Sequence, residues 1–193
     1  MGDANQIIYL EHYLSNDVTG AVLEVGSKDY GNTSSFRNIY HANEYVGLDM
    51  ENGKGVDIIQ DLTTDIGELQ EEYFDLIICC SVLEHVKKPW VMAENLQRLL
   101  KPGGVLYISV PWVWRYHAYP DDYFRFSWRG IIELFPGLEC DHACYSTNVQ
   151  GEIVEISGDN IYFDNNIAAM VETTNGKRKY LPYLMVNMLC YKR

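Results

Sequence analysis

Apolar positions along the chain gather into short runs, each closed by glycine, proline or an acidic residue. Ile7, Leu10, Tyr13 and Leu14 recur at helical spacing and predict an amphipathic N-terminal helix over 5–16. Ala21–Val25 reads as a strand ended by Gly26, Tyr45–Leu48 as a second ended by Asp49, and Val56–Ile59 as a third before Asp61. Phe74–Cys80 is apolar at nearly every position, as expected of a strand covered on both faces. In Pro89–Leu100, the stripe of Met92, Leu96, Leu99 and Leu100 predicts a helix that Pro89 opens and Pro102-Gly103-Gly104 stops. Val105–Val110 follows as a fifth strand.

From about Cys140 the helical spacing gives way to β patterning. Glu152–Ile156 and Ile161–Phe163 flank Ser157-Gly158-Asp159-Asn160 as a hairpin would, Asn175-Gly176 marks another turn, and Leu184–Tyr191 is a last strand. Strands alternating with helices imply parallel pairing through crossovers. The expected architecture is therefore a doubly wound α/β sheet with helices on both faces and a β-rich C-terminal tail. At 193 residues the chain is one domain.

Composition narrows the partners. Apolar residues make up 47% of the chain, enough for a core. Fifteen Lys and Arg stand against 27 Asp and Glu, a net charge of −12. No bare nucleic acid is expected as partner, because phosphate-backbone affinity comes from Lys and Arg; anionic membranes are disfavoured likewise. No apolar run reaches the ~18 residues of a membrane span, and the start lacks a signal-like basic and apolar region, so a cytoplasmic protein is expected. Cys79 and Cys80, adjacent in an apolar run, read as reduced and buried. Cys140, His142 and Cys144 have period-two spacing and would share a face on a strand, but the paired spacing of a zinc ribbon and a fourth ligand are missing. A half-buried strand is the expectation there, and no metal.

In open α/β sheets ligands bind beyond the carboxyl ends of the strands. After the first strand come Glu24, Gly26 and Ser27, with Gly31 further on; Lys28 replaces the second glycine of a dinucleotide fingerprint, which weighs against NAD or FAD. Asp49, just past the second strand, suits a pair of ribose hydroxyls, and Asp61 past the third suits an adenine amino group. Together the three acids fit an adenosine ligand without a pyrophosphate.

The stretches VLEVGS (22–27), YVGLDM (45–50), VDIIQDL (56–62), FDLIICCSVLEHV (74–86) and LLKPGGVLYISVP (99–111) together resemble the small, type-11-like class I S-adenosylmethionine-dependent methyltransferases. The resemblance implies a seven-stranded sheet whose last strand is antiparallel, with residues 21–111 as the cofactor-binding half and 112–193 as an acceptor-side segment with C-terminal strands. It implies S-adenosyl-L-methionine as cofactor and S-adenosyl-L-homocysteine as product. Glu24 and the Gly26–Ser27 backbone would face the methionine part, with Gly31 in the same loop. Asp49 would hold the ribose, Met50 would pack on adenine, and Asp61 with the Leu62 backbone would read the adenine edge. Cys80 and Ser81 would line the methionine end.

Methyl transfer to a hydroxyl calls for a general base, and His85 and His117 are the candidates. Trp112–Trp128 holds eight aromatics in 17 residues. Trp112, Tyr119 and Tyr123 could wall an acceptor pocket with Asp122 and Arg125 as its polar groups, or the aromatics could anchor a loop in which Asp122 pairs with Arg125. The expected reaction moves a methyl group to oxygen or nitrogen of a small-molecule or glycan acceptor. The alternative is a non-catalytic methyltransferase-like partner subunit, suggested by Lys28. Amino-methylating nucleic-acid enzymes carry an Asn/Asp-Pro-Pro-Tyr/Phe motif, and Cys80-Ser81-Val82 stands in its place. The C-terminal strands could support an oligomer.

Overall fold

The computed structural model describes residues 2–14, 18–31, 35–40, 42–118, 120–156, 173–174, 177–178 and 183–193. Ten strands run in chain order as β1 (Ala21–Val25), β2 (Glu44–Asp49), β3 (Ile58–Ile59), β4 (Phe74–Cys80), β5 (Leu100–Trp114), β6 (Glu139–Ser146), β7 (Ile153–Glu155), β8 (Thr173–Thr174), β9 (Lys177–Arg178) and β10 (Tyr183–Tyr191). The helices are α1 (Ala4–Tyr13), α2 (Pro89–Leu99) and α3 (Trp128–Leu134). Eight strands form one sheet in the order β3-β2-β1-β4-β5-β10-β6-β7. β1 pairs in parallel with both β2 and β4, so the strand order reverses there and the β1 and β4 carboxyl ends lie side by side. β10 is antiparallel to β5 and to β6, as the resemblance implies. β7 adds an eighth edge strand, antiparallel to β6.

Two apolar clusters cover the faces. One packs α2 and α3 residues such as Leu96, Leu99, Ile131 and Phe135 against Leu23, Ile77, Ile108 and Val186. The other packs Tyr9 and Leu10 of α1 with Phe36 against Val22, Leu76, Ile78 and Tyr107. β1 and β4 are buried from both sides, which is why their sequences read as continuous apolar runs.

The structure departs from the sequence reading in four places. α1 buries Asn5, Gln6, Tyr9 and Leu10, a more polar face than Ile7, Leu10, Tyr13 and Leu14. Burial is tolerated because Asn5 Nδ2 donates to the Thr147 and Val149 carbonyls at 2.7 and 2.8 Å and Gln6 Nε2 donates to Ser109 Oγ at 2.8 Å. Where alternating strands and helices would place a crossover helix after β1, the described residues hold a single 3-10 turn, Phe36–Asn38. Cys140, His142 and Cys144 do not share a face: the β6–β10 register shifts at His142, whose φ is +52°, so Cys144 joins the α1-side core. Cys140 instead lies directly opposite Cys190 and is disulfide-bonded to it, a pairing the spacing had not indicated. Cys79 and Cys80 are free thiols, buried as expected.

The predicted hairpin over 152–163 is represented by β7, which pairs with β6; its turn and second strand lie outside the described residues. The turn at Asn175-Gly176 also lies outside them, and the flanking strands β8 and β9 pair antiparallel. No described helix is long and apolar enough to cross a membrane.

Candidate active site

The loop after β1 turns sharply. Gly26 has φ +73°, and a Cβ there would stand 2.5 Å from Val82 Cγ2, so the backbone of this turn lies directly against the turn that follows β4. The amides of Gly26 and Ser27 both donate to the Leu48 carbonyl, at 2.8 and 3.1 Å. Ser27 Oγ is buried without a hydrogen-bond partner, close against Gly47 of β2. Asp49, ending β2, accepts the Lys28 amide at 3.3 Å and the Glu51 amide at 3.1 Å, which hold its carboxylate at the strand end. Met50 beside it is 56% exposed. The Lys28 side chain turns away to Glu51 at 2.6 Å, so its replacement of a glycine leaves the loop closed on Asp49.

Other expected cofactor residues have part of their bonding capacity engaged. Glu24 is buried and accepts from the Tyr45 hydroxyl at 2.6 Å. The Gly31 amide donates to Asp29 Oδ1 at 2.7 Å. Asp61 Oδ1 accepts from the amide and hydroxyl of Thr63, at 2.8 and 2.7 Å, and the Leu62 carbonyl accepts from Asn95 at 3.0 Å. Cys80 is buried, and Ser81 takes φ +54° with its amide donating to the Ser109 carbonyl at 2.8 Å. That turn swings the chain from β4 into a 3-10 segment, Leu83–His85.

Glu84, His85 and His117 converge on the post-β4 turn. The segment after β5 folds back over it because the Tyr123 and Phe124 amides donate to the Glu84 carbonyl at 2.7 and 3.2 Å. The His85 and His117 rings meet edge to face, 4.8 Å between centroids. His85 Nδ1 lies 2.7 Å from the Asp121 carbonyl, which can only accept, so Nδ1 carries the proton. His117 Nδ1 lies 3.3 Å from both the Arg115 carbonyl and Asp122 Oδ2, which assigns the same tautomer. In the neutral ring each Nε2 then carries the lone pair, 3.7 Å (His85) and 4.0 Å (His117) from Glu84 Oε1. Neither Glu84 oxygen has a hydrogen-bond partner, and burial pushes its carboxyl up to about 8. Burial, then the neighbouring His85, pushes the His117 imidazole below its ordinary value. Asp122 is the opposite case: Arg125 holds its carboxyl well below the usual range, with Nη2 donating to Oδ2 at 2.7 Å.

Residues 18–108 match the family model of a methyltransferase domain. Ubiquinone biosynthesis O-methyltransferase of Pseudomonas syringae pv. tomato is 35% identical over 60 residues, 31% of this chain and 26% of that protein. A thiol S-methyltransferase of Homo sapiens is 30% identical over 69 residues, 36% of this chain and 26% of its own length. The matched region thus spans about a quarter of each of these curated relatives. Among solved structures, phosphoethanolamine N-methyltransferase 2 of Haemonchus contortus superposes with a TM-score of 0.65 at 14% identity, over 99% of this chain and 53% of that one. The YcgJ protein of Bacillus subtilis does so with a TM-score of 0.64 at 12% identity, over 97% of both chains. Residues 18–108, just under half of the chain, thus resemble a methyltransferase domain, and the fold is that of solved methyltransferases.

The matched region carries the β1, β2 and β4 strand ends together with Glu84 and His85, whereas His117 and the segment after β5 lie beyond it. The structure joins His85 to His117, and adds Glu84, which the sequence reading passed over. Its signal was a lone acid inside the apolar stretch Val82–Val86. Asp122 and Arg125 are bound to each other, and Arg125 also donates to the Arg115 and Phe124 carbonyls at 3.0 and 2.7 Å, so this pair shapes the loop that carries His117. Trp112 and Tyr123 are each 39% exposed. Tyr119 lies outside the described residues.

Proposed function

We propose that the protein is a methyltransferase that binds S-adenosyl-L-methionine at the β1, β2 and β4 strand ends and methylates oxygen or nitrogen of a small-molecule or glycan acceptor. The observation that carries this reading is Asp49, held at the end of β2 beside the Gly26–Ser27 turn, where a ribose would meet a fixed pair of acceptor oxygens. Ser27 Oγ, buried and unpartnered, supports a polar ligand at the same place.

The cofactor supplies an electrophilic sulfonium methyl. The chain's own residues supply position: alignment of two bound reactants is worth up to roughly 7–11 kcal/mol. Trp112 and Tyr123 offer apolar area to an acceptor. In the ion-free chain the two Nε2 atoms at Glu84 are the groups placed to take its proton, and burial lowers the basicity of His117. Lys28, the residue that suggested a non-catalytic subunit, is turned aside to Glu51.

Calorimetry with S-adenosylmethionine and S-adenosylhomocysteine tests the cofactor half. Binding of both is expected, and absence of binding at millimolar ligand would overturn the reading. A screen of phenols, amines, thiols and sugars for release of S-adenosylhomocysteine then identifies the acceptor class.

A further inference from the structure

Glu84, His85 and His117 turn one buried carboxyl and two imidazole Nε2 atoms toward one another with no hydrogen bond between them. Both imidazoles have spent their Nδ1 protons elsewhere, on the Asp121 carbonyl and on the Arg115 carbonyl with Asp122. Both carboxylate oxygens of Glu84 are buried and unpartnered, and the side chain is 1% exposed. The separations of 3.7 and 4.0 Å from Glu84 Oε1 to the two Nε2 atoms are too long for a shared proton to bridge as a hydrogen bond. They are close to what one shared cation requires, since bonds of about 2.0–2.2 Å hold neighbouring ligand atoms about 3.3–3.7 Å apart. One ligand atom from each residue lies within 4.8 Å of the others.

From this convergence we propose that Glu84, His85 and His117 bind one first-row divalent cation of the zinc class, with a coordination position left for a small ligand. Two imidazoles and one carboxylate are the donor set of borderline ions; magnesium and calcium favour a shell of oxygens. Three protein ligands with a fourth place open is the usual arrangement of a reactive zinc site. The surroundings are already those of a metal site. Each ligand histidine is oriented by an oxygen acceptor on its other nitrogen, and the Asp122 that helps orient His117 is itself fixed by Arg125. Arg125 is committed to Asp122, and both Glu84 oxygens are left without a hydrogen-bond partner, so a bound dication would supply the counter-charge that lets the buried carboxyl ionise. Among the described residues this is the cluster whose donors meet without satisfying one another.

The site stands independently of methyl transfer; only the use of its open position rests on the proposed function. On that reading, an acceptor hydroxyl bound to the ion loses its proton to water rather than to Nε2. Its oxygen lone pair then forms the new bond to the sulfonium methyl carbon as the carbon–sulfur pair returns to sulfur.

The test uses the full chain, stripped with a chelator, dialysed and titrated with Zn2+. Elemental analysis gives the stoichiometry, and Co2+ substitution gives a visible ligand-field spectrum. One ion per chain is expected, with affinity reduced at least about 100-fold by Glu84→Gln and by His117→Asn, beyond the effect of losing an outer-shell partner. A stripped chain that takes up no stoichiometric ion, or variants that bind Zn2+ as the native chain does, would overturn the proposal. If Glu84→Gln does not fold by circular dichroism, His117→Asn decides, because that side chain is 26% exposed and tolerates change. S-adenosylhomocysteine binding is measured on the ion-free native chain as a separate arm. Its absence counts against the methyltransferase reading and leaves the ion result standing.

Discussion

Asp49 and Asp75 show how one carboxylate can serve either a ligand or the fold. Asp49 holds two backbone amides at the open end of β2, and Asp49→Ala is expected to weaken S-adenosylhomocysteine binding by about 1–3 kcal/mol, the scale of a lost charge-assisted hydrogen bond. Calorimetry measures it, and unchanged affinity would remove Asp49 from the site. Asp75 sits at the opposite end of the sheet. Burial pushes its carboxyl up, but Lys101 Nζ and the Ala21 amide, both at 2.8 Å, more than offset this and leave it below the ordinary range. Its contribution is therefore complete above about pH 4, the unfolded value, and is lost as pH falls through the lower folded value. Denaturant midpoints from pH 6 to pH 2 should show Asp75→Asn less stable than the native chain at pH 6 and equal to it at the acid end. Asp49 was legible in the sequence because a strand end is a local feature. Glu84 was not, because its lack of a partner is a fact about every neighbour it meets after folding.

At the scale of elements, the turns do as much as the strands. Gly26→Ala would force a side chain into a left-handed backbone and onto Val82. The expected result is a loss of about 1–3 kcal/mol of stability and weaker cofactor binding, read from thermal melts with and without S-adenosylhomocysteine. A melt unchanged in both conditions would show that the turn relaxes without cost. The parallel strands and α2 were readable because their burial follows the apolar pattern: Met92, Leu96 and Leu99 are buried as their spacing predicts. α1 was readable as a helix and misread as a face. Its buried Asn5 and Gln6 find partners 142 and 103 residues away, and no local pattern contains those distances. α3 went unseen inside an aromatic segment, although Ser127 caps it by accepting the Gly130 amide at 3.1 Å.

Across the whole molecule, the C-terminal strands lock the sheet to the N-terminal helix. Buried Asn187 on β10 accepts from the Tyr107 hydroxyl at 2.8 Å and donates to Ser146 Oγ at 2.9 Å, joining three strands through one side chain. The Cys140–Cys190 bond adds a covalent tie between β6 and β10 across 50 residues. Removing it with the double change Cys140→Ala and Cys190→Ala is expected to cost about 2–4 kcal/mol of unfolding free energy. Equal denaturant midpoints for the native and double-variant chains would show that the bond constrains nothing. By itself the sequence determined the α/β class, the first five strands and the turns that close them, because short apolar runs and turn residues encode them within a few neighbouring positions. Only the tertiary structure decided the polar face of α1, the disulfide and the meeting of Glu84 and His85 with His117. Each of these joins residues far apart in the chain, and which partners they find depends on how the sheet and its return segments pack.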